Sequence, residues 1–446
     1  MARKISNAPG IVNTIVKATN AVCEPQLPFV DKSTFSDFGK QLSMAPVEVQ
    51  NTFIDNLISL CGMQIILGKR MFTSIFKKLY REDTLTENVA LYMIDAIRAR
   101  SYSSEETNRI LETNPPRVGV QYITSVLRRQ YAISEIEDLL TGAFTSEGSF
   151  LSFLDAISTQ LYSSYEDDVN ESIKTLINEN IKEGNIRLEP VTKPTNQSTL
   201  LAFMQILKQI GSDWGVERSR IYNMAGFRTY SPEDDHYVLL NSQLASMNEV
   251  YNLAWSFNKS FLEMKSEGSA IVMASSALCD GNVYAMLFDK DLFQIRNRVN
   301  HPRLTSFFNP ATLSQNRFLT CFTVLSLAFF ANACAFIDPS KIGYDATTPA
   351  TLATRNGSDH ANLGEVVEMY VKAIKADTGK YADKFGKWSV SGNTSTDTYI
   401  DEDSGELFIA ADEAGTTSSG DQVLTVTWTS HLDSNVTATY TITLNV

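Results

Sequence analysis

Cysteine is scarce and scattered: Cys23, Cys61, Cys279, Cys321 and Cys334 are spread over 446 residues, and no two stand as Cys-x-x-Cys. This spacing excludes a disulfide framework and a zinc site, and it points to folding in a reducing cytoplasm. Histidine is as sparse. His236, His301, His360 and His431 lack the i, i+3 or i, i+4 spacing of a helix-borne metal pair. There is no glycine-rich phosphate loop and no Gly-x-Ser-x-Gly elbow, so neither cofactor nor metal is expected. After Arg3 and Lys4 comes no compact apolar run with a cleavage site, which argues against a secretory signal. Long hydrophobic runs are missing too. The most apolar stretch, residues 322–337, contains Thr323, Ser326 and Asn332 and is short for a membrane span, so it is expected to be a buried core element.

Positive charge is also in deficit, with 38 Lys and Arg against 51 Asp and Glu and a net charge of −13. A dedicated nucleic-acid binder would show a basic stripe instead. The imbalance is uneven: from Asp345 to Val446 there are 15 acidic and 6 basic residues, a net −9, which leaves −4 for the first 344. What is present is ordinary globular material, 43% hydrophobic and 20% charged, on a chain long enough for two or three domains.

Residues 1 to about 60 mix helical pieces with joints at Pro9, Pro25, Pro28 and Pro46, and read as an arm. Basic residues then cluster from Gly62 to Gln130, including Lys77, Lys78, Arg81, Arg98, Arg100, Arg117, Arg128 and Arg129. Any single one is a solvated surface charge. Their concentration in an acidic chain suggests a projecting element that meets an acidic neighbour. Ser149–Ile181 is the clearest helix. Phe150, Leu154, Ile157, Leu161, Tyr165, Val169, Ile173 and Leu176 line one face, over about 50 Å at about 1.5 Å per residue. A mixed α/β region follows to Asp338, with buried strands at Tyr237–Leu240, Ala270–Met273 and Val283–Phe288. A helix capped by Ser246 and Glu249 is expected to turn Val250, Ala254 and Phe257 inward. The last hundred residues read as a small β-sandwich of immunoglobulin type. Leu424, Val426 and Trp428 share a face, Val436 to Val446 alternate, and Trp388 is the core anchor.

Three acidic clusters are the remaining chemical candidates: Glu166-Asp167-Asp168, Glu233-Asp234-Asp235 and Asp401-Glu402-Asp403. None has EF-hand spacing, and the first is expected to be a solvated helix face.

The order of parts, an arm, a basic projection, a beam helix, an α/β unit and a terminal sandwich, resembles the major capsid protein of tailed phages. That is the Hong Kong 97-type fold, and the likeness is closest to small podoviruses of the phi 29 group. The resemblance is carried by Gly142-Ala143-Phe144 and Gly148-Ser149-Phe150 before the long helix, and by Glu233-Asp234-Asp235-His236 before Val238-Leu239-Leu240. It is also carried by Leu287-Phe288-Asp289-Lys290-Asp291-Leu292-Phe293 and Phe330-Ala331-Asn332-Ala333-Cys334-Ala335-Phe336. Lys387-Trp388-Ser389-Val390-Ser391-Gly392 and Ser404-Gly405-Glu406-Leu407 look like a bacterial group 2 immunoglobulin-like appendage.

The resemblance implies an α+β chain with an N-terminal arm (1–61), an extended loop region (62–131), peripheral and axial capsid domains (132–338), and a linker with an immunoglobulin-like domain (339–446). It implies a non-enzymatic shell subunit that partners itself in pentamers and hexamers. Further implied partners are a scaffolding protein, a portal or connector, and packaged DNA bound without sequence specificity; no membrane is involved. The location implied is the virion capsid, with assembly in the host cytoplasm. Lys77, Lys78, Arg81, Arg98, Arg100, Arg128 and Arg129 become the inter-subunit contact candidates. The composition break near residue 345 suggests that a chain cut there still assembles. The leading alternative is a bacterial surface adhesin carrying an immunoglobulin-like module, followed by a glycan-active enzyme, for which no two carboxylates can be brought together from the sequence.

Overall fold

The computed structural model describes residues 8–24, 26–31, 33–46, 48–53, 56, 74–81, 89–95, 116–123, 126–136, 147–253, 270–298, 302–309, 314–342, 350–373, 381–418 and 421–445. They form an α+β protein with several separate sheets. The chain divides into two units. One comprises Met1–Glu87, Thr124–Ser172 and Ile295–Leu325, the other Asn88–Ile123, Ile173–Gln294 and Ser326–Val446.

In the first unit, the segment expected as an arm finds its order within itself. Helices Ala8–Asn20 and Phe35–Met44, with a helical turn at 48–53, bury Val12, Ile15, Val16, Phe38, Leu42 and Phe53. Two asparagines tie the connecting chain back to the first helix. Asn13 donates to the Val30 carbonyl (2.9 Å) and accepts from its amide (2.6 Å), and Asn20 does the same with Leu27 (2.8 and 2.7 Å). A carboxamide used this way replaces a missing strand partner for the prolyl-containing loop.

The same unit holds a sheet in which Ser314–Leu327 pairs antiparallel with Val126–Ile136 on one edge and Arg303–Asn309 on the other. The long helix runs Glu147–Lys182. Its inward stripe is Leu161, Tyr165, Val169, Ile173, Ile177 and Ile181, a strict four-residue step, while Leu176 is only half buried. Tyr165 bonds Asn297 (2.8 Å) and Thr323 (2.9 Å) in the sheet region, and burial pushes its phenol up to about 12. The helical acidic cluster is not the solvated face expected. Glu166 is buried and accepts the Ser74 amide (3.1 Å), Asp168 accepts the Tyr131 hydroxyl (2.7 Å) while its side chain stays 46% exposed, and Asp167 is exposed. The cluster sits on a flank of the helix that the neighbouring chain covers, which periodicity of apolar residues does not reveal.

The second unit is built on a mixed five-stranded sheet, ordered Arg187–Pro190, Ala333–Ile337, Val283–Asp289, His236–Asn241 and Ala270–Met273. The three strands expected in this region are present. Their apolar runs are covered by helix Gln197–Val216, whose Phe203, Leu207 and Trp214 share a core with Leu240, Leu287 and Phe336. That helix starts at a capping box of Asn196 and Thr199. The helix expected to begin at Ser246 instead runs Ser242–Leu253, with Ser246 inside it and bonded to the Ser242 carbonyl (2.8 Å). Asn241 accepts the Gln243 amide (2.8 Å) and so competes better for the start. Ala254 and Phe257 lie outside the described residues. The apolar stretch 322–337 is the end of one strand, a turn and the buried strand Ala333–Ile337. Among the described residues, no helix is long and apolar enough to cross a membrane.

The chain ends in a β-sandwich. One sheet is ordered Thr351–Thr354, Val366–Ala373, Glu406–Phe408, Tyr399–Ile400. The other is ordered His360–Asn362, Thr437–Asn445, Asp421–Ser430, Gly386–Ser391, with His360–Asn362 and Thr437–Asn445 parallel. Trp388, Leu424, Val426, Trp428, Ile442 and Leu444 fill the interior, as their alternation requires. Gly386 is obligatory here, because a Cβ would stand 2.3 Å from the Thr429 carbonyl oxygen.

Candidate contact surface

Strands Val89–Ile94 and Val118–Ile123 pair antiparallel, with Tyr92 opposite Val120 and Ile94 opposite Val118. The period of two gives this ladder two faces. The inner face lies on the second unit. A Cβ on Gly119 would meet the rings of Phe227 and Phe330 at 2.7 Å, so the strand can cross them only as glycine. Gln121 donates to the Leu327 carbonyl (2.7 Å) and accepts the Phe329 amide (2.9 Å). The outer face is apolar and open: Tyr92 and Tyr122 are each 68% exposed, joined by Ile94, Val118 and Val120. Single exposed apolar side chains are common, but five on one face of one short ladder mark an interaction site.

At the end of this ladder, where residues 96–115 leave and return, six charged groups alternate in sign. The Asp95 amide bonds the Arg117 carbonyl (3.0 Å) and closes the neck. The Arg117 guanidinium reaches Asp95 (3.3 Å), Glu368 (3.2 Å), Glu406 (3.3 Å) and the Gly226 carbonyl (3.1 Å), and lies over the Phe227 ring. Arg220 bonds Asp95 and Glu406, both at 3.1 Å, and Arg355 pairs with Glu368 (2.9 Å). The side chains of Asp95 and Arg220 are only 5% and 6% exposed, so water screens them little. Glu368 and Glu406 come from the sandwich, Arg220 from the loop after helix Gln197–Val216.

A second junction ties the sandwich to the mixed sheet. Arg187 bonds Glu189 (2.8 Å) and a ring nitrogen of His431 (3.0 Å), and lies over the Tyr222 ring. Burial raises the Glu189 carboxyl, but His431 and Arg187 more than offset it and hold it below the usual range. Beside it, burial pushes the Asp383 carboxyl up, and Ser430 donates to it (3.0 Å).

The seven basic candidates do not gather at one place. Lys77 and Lys78 are exposed on a short 3-10 turn, and Arg81 follows it with its amide on the Ile295 carbonyl (2.9 Å). Arg128 and Arg129 belong to the strand Val126–Ile136 in the first unit, so the expected single loop region 62–131 is shared between two units. Arg129 is paired with Asp168 (3.6 Å) in an ion pair that stays about half exposed, and Arg128 lies over the Phe322 ring. Arg98 and Arg100 lie outside the described residues. The neck residues Asp95, Arg220, Glu368 and Glu406 were not found from sequence. Arg220 and Glu406 are 186 positions apart, and no local pattern marks either.

Among the described residues, no cluster of His, Cys, Asp and Glu could hold a metal ion. Asp235 is spent on Lys290. The Asp401 carboxylate is spent on its own turn, accepting the amides of Asp403 and Ser404. Cys23, Cys279, Cys321 and Cys334 are buried free thiols, and burial pushes Cys279 up to about 11, far from nucleophilic use.

Comparison with known proteins bears on the whole chain. The family model described as "Phi29-like phage major capsid protein" matches residues 12–337. The chain is 24% identical to the major capsid protein of Bacillus phage PZA, over 92% of this chain and 88% of that one. It is also 24% identical to the major capsid protein of Bacillus phage B103, with the same coverage. Among solved structures, the capsid structure of Staphylococcus phage Andhra is similar at a TM-score of 0.46 and 10% identity, covering 61% of this chain and 86% of that chain.

Proposed function

Since the chain belongs to the Phi29-like phage major capsid protein family and is a structural subunit of a phage capsid shell rather than an enzyme, we propose that its ladder lies against a neighbouring copy. The observation that carries this reading is the open apolar face of Tyr92, Ile94, Val118, Val120 and Tyr122. Covering one such side chain contributes roughly 1.5–3 kcal/mol. Repetition around a ring multiplies that contribution without any single strong contact. On this reading Lys77, Lys78, Arg81, Arg98, Arg100, Arg128 and Arg129 are further contacts to a neighbouring copy.

The fold is read as Hong Kong 97-type, with Glu147–Lys182 as the spine helix and the mixed sheet as the core of the axial domain. The sandwich is read as immunoglobulin-like. Supporting this is its strand order: counted along the sandwich, the first, third, sixth and fifth strands make one sheet, and the other carries a parallel pair of its first and last strands. Trp388 takes the place of the tryptophan on the third main strand, and Trp428 stands opposite it where a cysteine would complete a disulfide. The net −9 of residues 345–446 suits an outward position, away from packaged DNA. Pentamers and hexamers of this chain, a scaffolding protein and a portal complete the set of partners, with assembly in the host cytoplasm. No observation favours the adhesin alternative.

The test is the double variant Tyr92→Ser, Tyr122→Ser, expressed with a scaffolding partner where the unaltered chain needs one. Sedimentation and negative-stain microscopy should show folded, unassembled subunits. Shells at the unaltered yield would sink the contact reading.

A further inference from the structure

The ladder is held at two points of different origin. Near its base, Gln121 is fixed by Leu327 and Phe329, and no sandwich residue takes part. At its neck, Arg117 is held by Asp95 and by Glu368 and Glu406 of the sandwich. Between the two points lies Gly119, pressed on Phe227 and Phe330 with no side chain of its own. Counting formal charges, the neck balances: Arg117, Arg220 and Arg355 against Asp95, Glu368 and Glu406. Without the sandwich, Arg117 and Arg220 would share Asp95 alone. A buried and a partly buried guanidinium group cannot both rest on one carboxylate, because the surplus charge keeps its desolvation cost; the relief is for the neck to lift into water.

We propose that Arg117 is the positioning residue for the end of the ladder, where Asp95 and Arg117 pair, and that the terminal sandwich supplies the carboxylates that seat it. The sandwich is then a strut for the contact element rather than an appendage. This bears on the expectation that a chain cut near residue 345 still assembles: the cut removes Glu368 and Glu406 and leaves the neck unseated while the Gln121 anchor remains. The use of the ladder in assembly rests on the contact reading above; the seating of the neck does not.

Hydrogen exchange on the unassembled full chain, read by mass spectrometry with fragment resolution, tests the strut. The reporter is the Asp95 amide, bonded to the Arg117 carbonyl, and the internal control is the Phe329 amide, bonded to Gln121. In the double variant Glu368→Gln, Glu406→Gln, which keeps side-chain size, the Asp95 amide should exchange at least about tenfold faster while the Phe329 amide is unchanged. A second variant, Arg117→Met, keeps the contact with the Phe227 ring and removes the charge, and should give the same pattern. Glu402→Gln, on an exposed strand-edge pair with Lys387, should change neither amide. An unchanged Asp95 amide overturns the strut, and so does equal acceleration at Asp95 and Phe329, which would report general loosening. If Tyr92→Ser, Tyr122→Ser assembles normally while the Asp95 amide still responds, the contact reading fails and the strut stands.

Discussion

The interior of the sandwich and the neck beside it are neighbours in space and opposites in physics. The interior is held by Leu424, Val426, Trp428, Ile442 and Leu444, all nearly inaccessible to water and alternating along two adjacent strands. Such burial is non-directional, so a volume-conserving exchange costs little and only a void is expensive. The neck is held by directional charge pairs from five stretches of chain, and each group is the partner of at least one other. There a substitution of equal size is as damaging as a deletion, because it leaves a charge buried without its counterpart. The interior therefore specifies that the sandwich folds, and the neck specifies where the ladder ends.

The largest effect that separates the two belongs to the interior. Trp428→Ala removes the largest side chain of the interior and should cost about 4 kcal/mol, while the volume-conserving Ile442→Leu should cost less than about 1.5 kcal/mol. Thermal or denaturant unfolding of the sandwich transition checks both. Equal losses in the two variants would mean the interior is as exacting as the neck. At the neck itself, Arg220→Met preserves volume and should nonetheless cost on the order of 3 kcal/mol, since Asp95 and Glu406 lose a buried partner. A loss below about 1 kcal/mol would place the neck with ordinary surface pairs.

Between these lies Glu413, a carboxylate inside the sandwich that is nearly inaccessible. Burial raises it, but donors from Thr398, the Thr394 and Gly415 amides and the Thr394 hydroxyl outweigh that, and its carboxyl is held at about 2. A carboxyl lowered on folding stabilises above its unfolded value near 4.3 and loses that contribution as pH falls towards 2. The sandwich should therefore lose roughly 2–3 kcal/mol between pH 6 and pH 2 through this group. Glu413→Gln should be less stable at pH 6 and flatter with pH; an unchanged acid profile would assign the loss elsewhere.

The same contrast explains what the sequence disclosed. Strands of the sandwich, the long helix and the buried strand Val283–Asp289 were legible because their periodicity is a local consequence of burial. The open face of Tyr92, Val120 and Tyr122 was not, since an exposed apolar alternation reads the same as a buried one. The N-terminal helices escaped as a folded module because their closure depends on Asn13 and Asn20 reaching back across a loop. The neck was illegible for a stronger reason. Arg117 was visible as one basic residue among many, but its value lies in carboxylates hundreds of positions away, and pairing at that range leaves no trace in one sequence. Arg128 and Arg129 stood out by local charge, while their partners within the chain, Asp168 and the Phe322 ring, are set by the tertiary fold.

The smallest expected effect isolates the cause of the difference. Lys387 and Glu402 lie 3.2 Å apart at the sandwich edge, the same separation as Arg117 and Glu368 at the neck. Their side chains are 72% and 68% exposed, against 16% and 31% for the neck pair. If separation governed the energy, both pairs would matter alike. Screening by water predicts otherwise: Lys387→Gln should change unfolding stability by less than about 0.5 kcal/mol and become undetectable at high salt, whereas Arg117→Met should keep its effect there. A Lys387→Gln loss comparable to that of Arg117→Met would show that the neck owes nothing to its burial, and the contrast between the two regions would dissolve.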